Sequence, residues 1–326
     1  MATGLEMLTP LRDAEKAKAT VKKEFEERYR KLLGGSKEYE RFLQYSLSYL
    51  NKSIRVNTLK ASVEGVKQRL ERQNFVLYPV PWCMEGFWVK GDRTDFGNLV
   101  EHTLGYFYIQ EAASMIPAVV LEPQPGEAVL DMCASPGSKT TQMAALMGNS
   151  GIIVANDISG DRMKPLGINL QRMGILNVVE SFGRGQQLQR LATKFDRILV
   201  DAPCSGTGTL RKSPDTLQIW NPLMVRRLSQ QQKSLVSTAL SLLKEGGTLV
   251  YSTCSVEPEE NEGVIDWLLQ QHNDAKVDDI KLDINRSSPI LSFEKSEYNP
   301  EIRKCLRIWP QDNNTEGFFV ARVIKK

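Results

Sequence analysis

From about residue 106 onward, short apolar runs alternate with helix-length segments, and this order constrains the fold more than any other feature. AVLDM (128–132) leads into SKTTQMAALM (138–147), and GIIVAND (151–157) into a helix over 161–173. NVVES (177–181) follows, then FDRILVD (195–201), which precedes a long helix over 222–243 closed by Gly246-Gly247. TLVYST (248–253) precedes a helix that begins near Pro258. Repeated strand-then-helix order predicts a mostly parallel, doubly wound α/β sheet. FDRILVD is apolar enough to be a central strand covered on both faces. Pro165 is expected in the first helical turn, where the missing amide would have no intrahelical role. KCLRIWP (304–310) and GFFVARVI (317–324) lie too close for a crossover helix, so they must pair antiparallel.

The first third reads differently. Helices are expected over 14–33, stopped by Gly34-Gly35, over 37–50 and over 62–73. Whereas the helix expected over 111–122 opens the α/β part, strands are expected over SIRVNTLK (53–60), FVLYPV (75–80) and GFWVK (86–90). This is a small α+β module over 1–105, followed by an α/β domain over 106–326, in keeping with ordinary domain sizes. Residues 1–100 carry 18 Lys and Arg against 13 Asp and Glu, although the chain nets only +3. A basic first third suits phosphates, and equally a solvated helical surface.

Composition removes several classes. Five cysteines, an odd number with no C-x-x-C pair, argue against a disulfide framework and a zinc ribbon. Two histidines, His102 and His272, argue against a histidine metal site. No apolar run reaches the length of a membrane helix, and the first residues lack a signal-peptide core. The expectation is a soluble, reduced, cytoplasmic protein, monomeric, with no metal and no membrane partner.

Ligands of doubly wound sheets bind at the carboxyl ends of the strands. LDMCASPGSKT (130–140) joins the first strand to a helix there. Pro136 and Gly137 permit a sharp turn, and the helix start offers free amides. Lys139 sits in that first turn, where a cation opposes the helix dipole, so it wants a compensating anion. A bound carboxylate, such as the methionine end of a cofactor, would supply one. Asp157 closes the next strand, 26 residues after Asp131, where a carboxylate can accept both hydroxyls of a ribose. A helix-capping role is the alternative.

DAPCSGTG (201–208) and STCS (252–255) each place a cysteine just beyond the end of a central strand. Neighbouring strands would bring Cys204 and Cys254 together, with Asp201 at the same mouth. Two thiols and a carboxylate on the ligand edge suggest covalent chemistry. The alternative is two small buried thiols serving as core.

YIQEAASM (108–115), DMCASPGSKT (131–140), DAPCSGTGT (201–209), YSTCSVEPEENE (251–262) and TEGFFVARV (315–323) together resemble the RNA 5-methylcytosine methyltransferases. The resemblance covers roughly residues 50–326, and IRVNTLK is the clearest marker in the N-terminal module. It implies a Rossmann-like S-adenosylmethionine-dependent methyltransferase domain, RNA as partner, and an RNA-binding auxiliary module at the N-terminus. It implies Cys254 as the nucleophile that adds to cytosine C6, Cys204 as the thiol assisting C5 deprotonation and enzyme release, and Asp201 on the cytosine ring edge. Pro203 would shape the base pocket. The cofactor would lie across Cys133, Ala134, Ser135, Pro136, Gly137, Ser138 and Lys139, with Asp201 at its edge, Asp157 on its ribose and Arg162 nearby. The family usually has Gly-Gly before the lysine, where this chain has Gly137-Ser138. No acid aligns after the third strand, where Glu180-Ser181-Phe182-Gly183-Arg184 stands, and Phe182 could pack on adenine or in the core.

The target base must leave its stack for a thiol to reach C6. Arg211 and Lys212, in TLRKSPDTLQIW (209–220), are candidates for RNA phosphates, with Arg226 and Arg227 extending the track. Trp220 either stacks on a base or anchors the following helix. A compact chain favours tRNA over rRNA. A DNA cytosine methyltransferase would use Cys204 as attacker, which the Ser-Thr-Cys-Ser motif opposes. A non-catalytic RNA-binding factor is opposed by intact Cys204, Cys254, Asp201 and Lys139. Cys83 and Cys305 read as structural.

Overall fold

The computed structural model describes residues 21–93, 95–190, 193–294 and 296–326. Helix Lys23–Leu32 is the described part of the first expected helix, whose residues 14–20 lie outside the described residues. It ends at Gly34, which takes φ +78°, and helix Ser36–Leu47 follows. A four-stranded antiparallel sheet comes next: β1 (Ser53–Val56), β2 (Val76–Val80), β3 (Cys83–Lys90) and β4 (Phe107–Ile109), in the order β2-β3-β1-β4. Helix Val63–Glu71 buries Val66 and Leu70 against it.

β1 stops at Val56, short of the expected Lys60. The Asn57 side chain donates to Gly105 O and Met173 O, and Lys60 N turns back to Asn57 O. β4 escaped sequence reading because three residues are too few to show a period. It pairs with β1, so the N-terminal sheet runs past residue 105. The expected helix over 111–122 is shorter, a 3-10 turn at Ala113–Met115 followed by Ile116–Leu121.

The strand–helix alternation folds as expected. β5 (Ala128–Asp131), β6 (Ile152–Asp157), β7 (Val178–Phe182), β8 (Phe195–Asp201) and β9 (Leu243–Thr253) form the parallel body in the order β9-β8-β5-β6-β7. Helices Ser138–Leu146, Gly160–Met173, Pro222–Leu242 and Glu262–Gln271 connect or follow these strands, and Pro165 lies inside Gly160–Met173 rather than in its first turn, because the helix starts five residues before it. β9 begins at Leu243, so Gly246-Gly247 lies within the strand, where the pairing with β8 is irregular. The antiparallel end adds β10 (Ala275–Asp278), a small hairpin of β11 (Ser292–Phe293) and β12 (Ser296–Glu297), then β13 (Leu306–Ile308) and β14 (Phe318–Lys325). β14 pairs antiparallel with β9, β10 and β13, as expected for the two C-terminal strands.

Ile198, Val200 and Leu249 of the central strands pack with Val236 and Ala239 of helix Pro222–Leu242 in one core cluster. Leu199 and Val250 point the other way and pack with Ile116 and Met143, so both faces of the sheet are covered. A third cluster closes the N-terminal helices over the catalytic domain. Phe25, Tyr29 and Phe42 pack on Trp220 and Trp309, with Phe25 edge-on to Trp220 at 5.1 Å. No described helix is long and apolar enough to cross a membrane.

Candidate active site

Strands β8 and β9 run side by side, with Asp201 opposite Ser252. Both chains leave the sheet at the same edge, so the loops that follow bring Cys204 and Cys254 together. Their sulfurs stand 3.3 Å apart, and both thiols are free and partly exposed. The hydrogen bond with Cys254, and then burial, push the Cys204 thiol well up. Gly208 holds the pair from behind. Its amide donates to Cys254 O at 3.0 Å, and a Cβ there would lie 2.7 Å from that same oxygen.

Asp201 Oδ2 lies 2.7 Å from Lys139 Nζ, and Asp201 Oδ1 accepts from Ser252 Oγ at 2.7 Å. Lys139 also donates to Ser114 Oγ at 3.0 Å. Burial alone would lower the Lys139 pKa, but the Asp201 carboxylate outweighs it and the pKa is raised. This corrects one expectation. The anion that Lys139 requires is supplied by the chain itself, because the turn after β5 aims the lysine at the end of neighbouring β8.

The turn from β5 into helix Ser138–Leu146 contains a cis Ser135–Pro136 bond and Gly137 at φ +99°. A Cβ on Gly137 would meet Leu166 Cδ1 at 2.9 Å, and the positive φ itself favours glycine there. Asp157 accepts from Ser135 N and Ser159 N, each at 3.2 Å. Arg162 lies 3.4 Å from Asp157 and donates to Ser135 O at 2.8 Å. Cys133, Ser135, Asp157, Arg162, Asp201, Pro203, Cys204 and Cys254 line one cleft of about 290 Å³. Ala134, Pro136, Gly137 and Ser138 build the turn behind it. Asn156, Ile158, Gly185 and Gln186 also line the cleft, and the sequence reading had not singled them out. Phe182 is exposed at the end of β7, neither in the core nor on the cleft wall.

The RNA candidates divide. Arg211 is buried, with its guanidinium on Tyr49 O and Thr315 O. It is a structural residue rather than a phosphate contact, since the following turn folds it under the N-terminal helices. Lys212, Arg226 and Arg227 are exposed. Trp220 is fully buried and donates to Glu257 Oε1 at 2.8 Å, which makes it an anchor. Cys83 and Cys305 are buried.

Sequence reasoning missed the carboxylates behind Cys254. Glu257, Glu260 and Glu262 in VEPEENE are all fully buried. Glu260 Oε2 accepts from Ser205 N at 2.9 Å and from Gln232 Nε2 at 2.8 Å, while Oε1 accepts from Ser255 Oγ at 3.2 Å. One carboxyl thus ties the two cysteine loops together, and burial pushes it up to about 7. Glu257 accepts from Tyr29 OH and Arg28, joining the N-terminal helix to the same loop. Glu262 pairs with buried Arg307, both bonds at 2.6 Å. A run of acids before a helix reads as a solvated first turn, so only its density beside a reactive cysteine could have flagged it. Glu260→Ala is expected to cost about 3 kcal/mol, because three buried donors lose a partner at roughly 1–3 kcal/mol each, partly recovered by water. Urea unfolding checks this, and an unchanged midpoint would contradict the bridging role.

Fold and site together define an α/β methyltransferase that carries paired cysteines at adjacent strand ends. The family described as 16S rRNA methyltransferase RsmB/F matches residues 118–324, and the N-terminal domain of 16S rRNA methyltransferase RsmF matches residues 21–112. The chain belongs to the RsmB/F family of RNA methyltransferases. It is 45% identical over 306 residues to the tRNA (cytosine(49)-C(5))-methyltransferase of Pyrococcus abyssi, covering 94% of this chain and 96% of that protein. It is 43% identical over 292 residues to ribosomal RNA small subunit methyltransferase F of Shewanella piezotolerans, covering 88% of this chain but only 60% of that protein. The crystal structure of a methyltransferase homolog protein from Pyrococcus horikoshii matches at TM-score 0.83 and 37% identity, over 96% of this chain and 98% of that one. The structure of NSun6 from Pyrococcus horikoshii with SFG matches at TM-score 0.81 and 25% identity, over 93% of this chain and 98% of that one.

Proposed function

We propose that this enzyme methylates C5 of a cytosine in RNA, with S-adenosylmethionine as methyl donor and tRNA as the favoured substrate. The observation that carries the reading is the 3.3 Å sulfur pair on one cleft with Asp201, whose carboxylate pairs with Lys139. The cleft suits the cofactor's chemistry. The Asp157 carboxylate can accept a vicinal diol, and Asn156 Oδ1 is buried with no partner among the described residues. The first-turn amides of helix Ser138–Leu146 favour a carboxylate. Cys133–Lys139 and Asp157 would hold the cofactor, with Arg162 steadying the loop. S-adenosylmethionine supplies an electrophilic methyl group.

C5 of cytosine is a poor nucleophile until C6 is occupied. The Cys254 thiolate adds to C6, which turns C5 into an enamine carbon able to take the methyl group. Asp201 hydrogen-bonds the cytosine N3/N4 edge, and Lys139 holds Asp201 in place. Cys204 lies 3.3 Å from Cys254 on the same cleft. Cys204 can then lose its proton to solvent and accept the proton leaving C5. The electron pair of that C–H bond restores the C5–C6 double bond and expels Cys254 as thiolate. Pro203 shapes the pocket for a base out of its stack. Lys212, Arg226 and Arg227 contact phosphates, which positions the strand without reading sequence.

The tRNA preference is supported by the likeness to the Pyrococcus abyssi enzyme over nearly its whole length. The rRNA alternative draws on the Shewanella relative and on the family description. The same reading takes the enzyme as a cytoplasmic monomer without metal. Bisulfite sequencing of tRNA and rRNA pools treated with the protein tests the choice. New 5-methylcytosine confined to tRNA is expected, methylation confined to rRNA would favour the alternative, and none in either pool would overturn the activity.

A further inference from the structure

We infer that Arg55, in the N-terminal module, is a positioning residue for the cofactor loop, so that affinity for S-adenosylmethionine depends on a side chain outside the catalytic domain. This rests on the reading above that residues 133–139 hold the cofactor. Arg55 and Asn57 of IRVNTLK are buried, so the most recognisable segment of the module does not spend them on RNA. Arg55 Nη1 donates to Ser138 O and Gln110 Oε1, both at 2.7 Å, and Nη2 donates to Thr141 Oγ1 at 3.0 Å. Ser138 and Thr141 belong to the first turn of the helix that carries Lys139. Gln110 continues the chain of contacts, donating to Ser114 O at 3.0 Å. The Ser114 hydroxyl in turn accepts from Lys139. The guanidinium therefore reaches Lys139 from two sides, through its helix and through Ser114.

The chemistry is costly for a merely structural residue. Arg55 is held by a carbonyl, an amide and a hydroxyl rather than by a carboxylate. Burial pushes its pKa down to about 10. A buried charge among neutral acceptors is expensive, and an apolar side chain would fill the space at less cost. An apolar residue cannot span acceptors on two elements with one rigid planar fork, and a lysine does so poorly. The guanidinium fixes how the turn after Gly137 is presented to a ligand.

Calorimetric titration of S-adenosylmethionine into the full chain tests the inference, with circular dichroism and thermal unfolding as checks of folding. Arg55→Met is expected to weaken binding about tenfold, matching ~1.4 kcal/mol, and to raise KM for the cofactor by the same factor while kcat falls less. Arg55→Lys should lie between it and the parent, and carries the test alone should Arg55→Met fail to fold. Asn57→Ala is the control. Asn57 is equally buried on the same segment but bonds to Gly105 O and Met173 O, away from the cofactor turn. It is expected to lower the unfolding midpoint and leave cofactor affinity within twofold. Unchanged affinity in the folded Arg55 variants, or equal weakening by Asn57→Ala, would overturn the inference. Failure of the parent chain to bind would overturn the cofactor reading itself, and this inference with it.

Discussion

Cys254→Ala should abolish methylation, by about 10⁴-fold or more as when other enzymes lose a nucleophile, and should form no covalent RNA complex. Cys204→Ala should behave differently. Its Cys254 can still attack C6, but the C5 proton has no nearby acceptor, so the sulfur cannot be expelled. A stable RNA–protein complex should accumulate on denaturing gels in the presence of S-adenosylmethionine, while turnover falls. The asymmetry follows from the roles that the family resemblance implies for the two thiols. The two sulfurs lie 3.3 Å apart on one cleft, so each variant leaves the other thiol beside the base site. A complex that accumulates in the Cys254 variant and not in the Cys204 variant would reverse the roles.

Asp201→Asn should be the next most damaging change. It leaves Lys139 charged, nearly buried and without its 2.7 Å carboxylate. Breaking such a pair by removing one partner costs about 3 kcal/mol or more. It also removes the acceptor proposed for the cytosine edge, at a further loss in kcat of roughly 10²-fold from the missing general-acid–base contact. The two effects separate in a double variant. Asp201→Asn combined with Lys139→Met removes both charges together and should recover most of the stability but none of the activity. Stability and activity recovering together would mean that the pair only supports the fold.

The parallel body was legible because each strand from AVLDM to TLVYST is apolar, bounded, and followed by a helix-length segment. The meeting of Cys204 and Cys254 was legible for the same reason, since adjacent parallel strands end at one edge. Three kinds of feature were not. Contacts across long sequence distances left no local pattern, so Lys139 was read as awaiting a ligand when Asp201, 62 residues on, lies against it. Buried charges look like surface charges in a sequence. Arg211 therefore passed for a phosphate contact, and Glu257, Glu260 and Glu262 went unremarked, although all are fully or almost fully buried. Short edge elements such as β4 and β10 carry too few residues to declare a period.

The central claim is that the Cys254 sulfur forms the bond to cytosine C6. RNA carrying 5-fluorocytidine has no C5 proton to lose, so the enzyme should stop at the bonded, methylated stage with both cysteines in place. Incubating the unaltered chain with such RNA and S-adenosylmethionine, followed by nuclease and protease digestion and mass spectrometry of the cross-linked peptide, reads the attachment point directly. The account predicts a methylated fluorocytidine on Cys254. The same adduct on Cys204 would contradict it.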